Sequence, residues 1–198
     1  GVPAHKGRRV QERKTAHARQ TSTLIGAWNS AHDTEHHSLL DVLTSDPDAV
    51  TQLIALVRTS PVGPLLVDRL HQFREETLDL IPAAVAALRA QDATAFGAAV
   101  TRSHHIGNAA LNNQIDETRH LADRAVALGA YGASAFGAGF GGSVFAVVAR
   151  EEAETFRKAW QADYRARFVA VADRAEFFLA DPADGAREVT GSATDSRG

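Results

Sequence analysis

Four glycines fall within six positions in the run Gly137-Ala138-Gly139-Phe140-Gly141-Gly142-Ser143. Glycine gives up more backbone freedom on folding than any other residue, roughly 0.5–1 kcal/mol relative to alanine inside regular structure. So dense a run excludes helix or strand through these positions. It predicts a loop that needs positive φ, or one against which a backbone or a ligand must come close. On either side lie short apolar, β-type stretches, 131–136 and 143–148, and two strands joined by the loop are the simplest account. Successive exposed amides in such a loop can form an anion-binding nest suited to phosphate. A tight β-connection without any ligand satisfies the same residues. No Lys follows the glycines and a strand, not a helix, comes next, so the run is neither a Walker A sequence nor a Rossmann fingerprint.

Upstream of this point the apolar period is helical. Val10, His17, Leu24 and Trp28 recur at helix-compatible intervals and predict a basic helix to about Asn29, with Lys6, Arg8, Arg9, Arg13, Lys14 and Arg19 against the single acid Glu12. A short helix is expected over 37–43. Ser45-Asp46-Pro47-Asp48 then caps a third, with Ala49, Leu53, Leu56 and Val57 on one face. After the turn at 60–64, Leu66, Leu70, Phe73, Thr77, Leu80, Ala84 and Leu88 mark a long amphipathic helix. Pro82 has no amide hydrogen and should kink or split it near Ile81. Asp92 caps a shorter helix through Phe96 and Val100, and another spans about 114–128 and stops at Gly129. Beyond the hairpin, 151–168 returns to helix with Ala153, Phe156, Trp160, Tyr164 and Phe168 on one side, and 176–179 offers a last strand. Helices followed by strand, loop, strand, helix and strand predict an α+β fold, an antiparallel sheet covered by helices.

The chain has 198 residues, 44% hydrophobic and 23% charged, with a net charge of -3 and no Cys. A chain of this length buries roughly 70% of its unfolded surface and folds without disulfides or metal. The charge balance gives no argument for nucleic acid or a membrane surface, and no stretch approaches the ~20 apolar residues of a span. The absence of Cys excludes a thiol nucleophile and a zinc-thiolate site and fits a cytoplasmic setting. There is no Met and the sequence opens at Gly1, so a longer product is expected.

Other clusters carry weaker signals. Asp33 and His37 stand at i,i+4 and could share a metal, but solvated helix-end histidines explain them better, and no metal site is expected. Ser103, His104 and His105 have no Asp beside them in the sequence. Glu75, Glu76 and Asp79 read as the wet face of the long helix, and Trp160 and Tyr164 as core anchors.

The stretch Gly132-Ala133-Ser134-Ala135-Phe136-Gly137-Ala138-Gly139-Phe140-Gly141-Gly142-Ser143 resembles the third conserved motif of the GHMP kinases, and among them that of galactokinases. Ile81-Pro82-Ala83-Ala84, Asp92-Ala93-Thr94-Ala95-Phe96-Gly97, Asn113-Gln114-Ile115-Asp116-Glu117-Thr118 and Asp181-Pro182-Ala183-Asp184-Gly185-Ala186 carry the resemblance beyond the loop. Gly1 to Lys6 is similar to the stretch that leaves the N-terminal domain. The resemblance implies a GHMP kinase C-terminal domain over 1–183, with a ferredoxin-like antiparallel sheet. Within it, 1–64 would be a helical linker or interface part, 65–183 the α+β part, and 184–198 a flexible tail. It further implies ATP and sugar bound between two domains, Mg²⁺ on the phosphates, and a catalytic Asp, its Arg and the phosphate loop in an N-terminal domain whose motifs are absent here. Gly137, Gly139, Gly141 and Gly142 are carried over as active-site loop residues, and no catalytic residue is. Two departures stand out. Ser134-Ala135-Phe136 replaces the Arg-Met-Thr/Ser frequent in galactokinases, and Lys14-Thr15-Ala16 lies where the family places a sugar-contacting Tyr.

The expected function is the C-terminal portion of a sugar kinase, the complete enzyme moving the ATP γ-phosphoryl group to a sugar hydroxyl, galactose to galactose 1-phosphate. This chain alone is expected to be inactive, to partner the N-terminal kinase domain, and to associate with itself when isolated. The competing expectation is a non-catalytic binding or interaction module derived from such a kinase.

Overall fold

The computed structural model describes residue 2, residues 8–137 and residues 139–182. The expected tail at 184–198 and most of 1–6 lie outside the described residues.

Four helices open the fold: α1 (Arg8–His32), α2 (Leu39–Ser45), α3 (Ala49–Val57) and α4 (Gly63–Arg74). Side chains fix the start of α2. Ser38 accepts from the Asp41 amide while Asp41 accepts from the Ser38 amide, so α2 starts at Leu39 and not at His37. Before α3, Asp46 accepts from the Asp48 amide and from Gln52. Leu24 and Trp28 of α1 bury against Leu39 and Val42, Leu53 and Val57, and Leu66 and Leu70, which forms the first core. Leu56 lies off that face and is exposed, because the buried positions of α3 are Ala49, Leu53 and Val57, spaced by four.

The long helix around Pro82 is continuous but changes pitch. A π-helical turn, Glu75–Leu80, joins α4 to α5 (Ile81–Arg89), and the Ile81 amide bonds Glu76 O, five residues back. A wider turn immediately before proline makes room for its ring and absorbs the missing donor, so the break expected near Ile81 takes the form of a π-bulge. The buried stripe ends early: Leu66 and Leu70 are buried, whereas Ile81, Val85 and Leu88 are exposed. The expected wet face is tied down as well. Arg102 grips both oxygens of Glu75 at 2.6 and 3.0 Å, which holds that carboxyl below its ordinary range, and Ser103 donates to Glu76 at 2.8 Å.

Helix α6 (Ala93–Leu111) starts as expected, with Asp92 accepting from the Ala95 amide at 2.9 Å, but runs eleven residues past Val100. It ends at Asn112, in the left-handed region at φ 44°. Helix α7 (Asp116–Ala127) ends before Gly129, at φ 102°. Strands β1 (Gly132–Ala135) and β2 (Val144–Val147) pair antiparallel, Ser134 opposite Phe145 and Ala135 opposite Val144. Helix α8 (Ala153–Arg167) covers one face. Ala122, Ala125, Ala133 and Phe156 form the second core, and the Trp160 indole donates to Leu121 O at 2.9 Å.

The α+β class holds, with two strands in the sheet among the described residues. The stretch 176–179 forms no strand and follows a 3₁₀ turn, Val169–Arg174. Phe177 packs on Trp160 and Tyr164, while Phe178 and Leu179 are exposed. Among the described residues the stretch has no ladder neighbour, and without one its backbone stays irregular.

The outer edge of β1 is sealed by α6. Thr101 Oγ1 accepts the Ala133 amide at 3.2 Å, and His104 Nδ1 accepts the Ala135 amide at 3.3 Å. That bond needs the Nδ1 lone pair, so the neutral ring carries its proton on Nε2. Burial, then the neighbouring His105, lower the pKa of His104, against an opposing pull from Asp123. The folded value lies below the unfolded one, so the unfolded chain binds the extra proton and stability is lost as pH falls below about 6.5. His104→Gln should flatten the loss of urea midpoint between pH 7.5 and 5. An equal loss in both proteins would remove His104 from the account.

Candidate functional site

The hairpin closes with the Phe136 amide donating to Ser143 O at 2.8 Å. Between these residues the backbone takes positive φ at Gly137 (68°), Gly139 (82°), Phe140 (64°), Gly141 (108°) and Gly142 (95°). L-residues populate this region only at a cost, which accounts for the four glycines. Phe140 is the exception and is held from two sides. Its ring is buried, and its amide donates to Asn113 O at 2.5 Å.

Asn113 belongs to the turn between α6 and α7. Gly139 lies so close to it that a Cβ would stand 2.0 Å from the Asn113 carbonyl oxygen. The turn is itself braced: buried Thr118 donates to Gln114 Oε1 at 2.9 Å and accepts the Ile115 amide at 3.2 Å, and Gln114 donates to Asn113 Oδ1 at 3.2 Å. The left-handed Asn112 was not singled out by sequence reasoning, and the buried Asn113 entered only as the first residue of the 113–118 motif. An Asn pair directly after a helical run was the available signal, since Asn tolerates αL.

The four predicted loop residues divide. Gly137 and Gly142 are exposed, and Gly139 and Gly141 are buried. The Gly142 amide is engaged, donating to Val2 O at 3.0 Å. The amides of Gly137, Gly139 and Gly141 have no backbone partner among the described residues. Beside the loop opens a cleft of about 700 Å³, lined by Gly142, Ser143, Val144, Phe145, Trp160 and Phe177, with Arg157 and Arg174 at its border.

The other candidates go elsewhere in the fold. His32 stacks on Trp28 at 3.9 Å and bonds Gln52 at 2.8 Å. Among the described residues no group of three His, Cys, Asp or Glu could hold a metal ion. Ser103 faces Glu76, and exposed His105 meets Asp123 of α7 at 3.2 Å. No helix among the described residues is long and apolar enough to cross a membrane.

The segment that carries the hairpin and its glycine loop is also the one that comparisons with known proteins match. Residues 84–166, from α5 through α8, match the family described as GHMP kinases C terminal. Over this stretch, which includes the glycine loop, the chain is similar to a GHMP kinase C-terminal domain. Its likeness within the family is to galactokinases, by sequence and by structure. It is 36% identical over 101 residues to the galactokinase of Pyrococcus furiosus, an alignment covering 50% of this chain and 27% of that protein. It superposes on the crystal structure of Lactococcus lactis galactokinase complexed with galactose with a TM-score of 0.65 and 26% identity, covering 85% of this chain and 40% of that one. The chain thus spans well under half the length of both relatives.

Proposed function

We propose that this chain is the C-terminal part of a galactokinase-type sugar kinase and forms one wall of its active-site cleft. The complete enzyme would transfer the γ-phosphoryl group of ATP to a sugar hydroxyl, galactose to galactose 1-phosphate, in the cytoplasm. The observation that carries this reading is the left-handed backbone at Gly137 and at 139–142, with the amides of Gly137, Gly139 and Gly141 unbonded to backbone among the described residues, inside a segment that matches the GHMP kinases. Gly139 and Gly141 shape the loop from within. Gly137 and Gly142 bring it to the surface, and with the Gly142 amide engaged by Val2 the exposed Gly137 amide is the donor closest in kind to an anion nest.

Among the described residues no group of three His, Cys, Asp or Glu could hold Mg²⁺, and the resemblance carries no catalytic base onto this chain. ATP, Mg²⁺ and the deprotonating group are therefore assigned to the companion N-terminal half. Phosphoryl transfer relies on positioning and electrostatic stabilisation, and positioned amides are a contribution that a wall without catalytic side chains can make. The proposed parts, 1–64 and 65–183, meet in α4, which starts at Gly63, packs into the first core through Leu66 and Leu70, and leads on to α5 and α6.

The isolated 198-residue chain should give no ADP release above background with galactose and Mg-ATP, and joining it to its N-terminal half should restore turnover. Turnover by the chain alone would overturn the division of labour. A joined protein without turnover would favour the binding-module reading.

A further inference from the structure

The bonds flanking the hairpin fix the direction of every rung. Phe136 and Ser143 are a bonded pair, so Ser134–Phe145 is one too, the Tyr131 amide donates to Val147 O at 2.8 Å at the far end, and the intervening backbone groups point outward. On β1 the outward amides are those of Ala133 and Ala135, both taken by α6 side chains. On the other strand the outward series is Gly142, Val144 and Ala146. Its first rung is filled, because the Gly142 amide donates to the Val2 carbonyl at 3.0 Å. The next two open on the 700 Å³ cleft, and no other described segment bonds to their backbone. Across the cleft lies Phe177-Phe178-Leu179, which has no ladder partner among the described residues and leaves Phe178 78% and Leu179 51% exposed. One sheet edge is closed by side chains, and among the described residues the other is occupied by main chain at its first position only.

An edge left in that state normally invites pairing with another chain. We propose that the outer edge of β2 takes an extended strand from the N-terminal kinase half, continuing the rung begun at Val2 and bonding Val144 and Ala146. Main-chain bonds would supply the attachment, and alternate apolar side chains would fill the cleft against Trp160 and Phe177. This rests on the kinase reading for the identity of the strand. The galactokinase chain on which this one superposes has 60% of its length beyond the matched 40%, ample for such an element. The strand would give 176–179 the neighbour it lacks.

Amide hydrogen exchange read by NMR tests it. In the 198-residue chain, Val144 and Ala146 should exchange at least about 100-fold faster than Phe145 and Val147, and in the complete kinase all four should be protected alike. Ala146→Pro deletes an outward amide while leaving every rung to β1. It should keep Phe145 and Val147 protected and abolish the new protection of Val144. Val144 and Ala146 remaining fast in the complete kinase would overturn the proposal. So would concentration-dependent protection in the isolated chain, which would assign the edge to a second copy. Galactose phosphorylation is measured on the same samples: turnover without protection rejects the strand alone, and protection without turnover rejects the kinase reading alone.

Discussion

Gly97→Ala is expected to lower the stability of this chain by about 3 kcal/mol, a fall in Tm of roughly 6–12 °C. Helix α6 crosses β1 with Gly97 and Gly132 back to back. A Cβ on Gly97 would lie 2.1 Å from the Tyr131 carbonyl oxygen and 2.2 Å from its carbon, and one on Gly132 would lie 2.0 Å from Gly97 O. All these neighbours are backbone, so no rotamer change relieves the clash and the two elements must move apart. Separation then breaks more than a contact. Gly97, Thr101 and His104 form one stripe at i, i+4 and i+7, and the last two hold the Ala133 and Ala135 amides. Each bond is worth about 1 kcal/mol, and an amide left buried without a partner costs more. Gly107→Ala, on the same helix, is the control: a Cβ there meets nothing within 4 Å, so alanine should gain about 0.5–1 kcal/mol. Thermal melting of the two variants checks both signs. A Gly97→Ala melt within 2 °C of the parent, about 1 kcal/mol, would mean that α6 does not sit against β1 in this way.

That close approach marks the boundary of what the sequence made legible. Helix starts were readable because caps are local: Asp92 and the Ser45–Asp48 turn declare themselves within three residues. The hairpin was readable because glycine density and β-branched flanks need no distant partner. Gly97 and Gly132, by contrast, carry no signal until two elements 35 positions apart are placed in contact. The length of α6 was missed for a related reason. Thr101, His104 and Ile106 face a strand and a second helix and not one apolar core, so its second half lacks a clean 3.6-residue stripe. The segment at 176–179 misled in the opposite direction, since the apolar run Phe177-Phe178-Leu179 is present but a strand also requires a ladder. In the loop, the need for positive φ was legible, whereas the division into buried Gly139 and Gly141 and exposed Gly137 and Gly142 depends on Asn113, brought there from a different turn.

Gly139→Ala should reduce kcat/KM of the complete kinase at least about 100-fold, while Gly137→Ala in the same loop should stay within about tenfold. Both positions hold left-handed backbone, at φ 82° and 68°, so both variants pay a conformational penalty of roughly 1–2 kcal/mol. Only Gly139 also pays in space. Its Cβ would stand 2.0 Å from Asn113 O, whereas a Cβ on Gly137 meets nothing within 4 Å. Because the same carbonyl accepts the Phe140 amide, relieving the clash detaches Phe140 and shifts the Gly139–Gly141 arc as a unit. A displacement near 1 Å in groups that position a transferring phosphoryl suffices for a 100-fold loss. The global fold keeps α6, α7 and both strands, so the isolated Gly139→Ala chain should still melt cooperatively and within several degrees of the parent. Coupled assays on the complete enzyme, with melts of the isolated chain beside them, separate damage to the loop from damage to the fold. If Gly139→Ala turns over within threefold of the parent, the arc does not position the phosphates, and the glycines serve only to let the hairpin pass beneath Asn113.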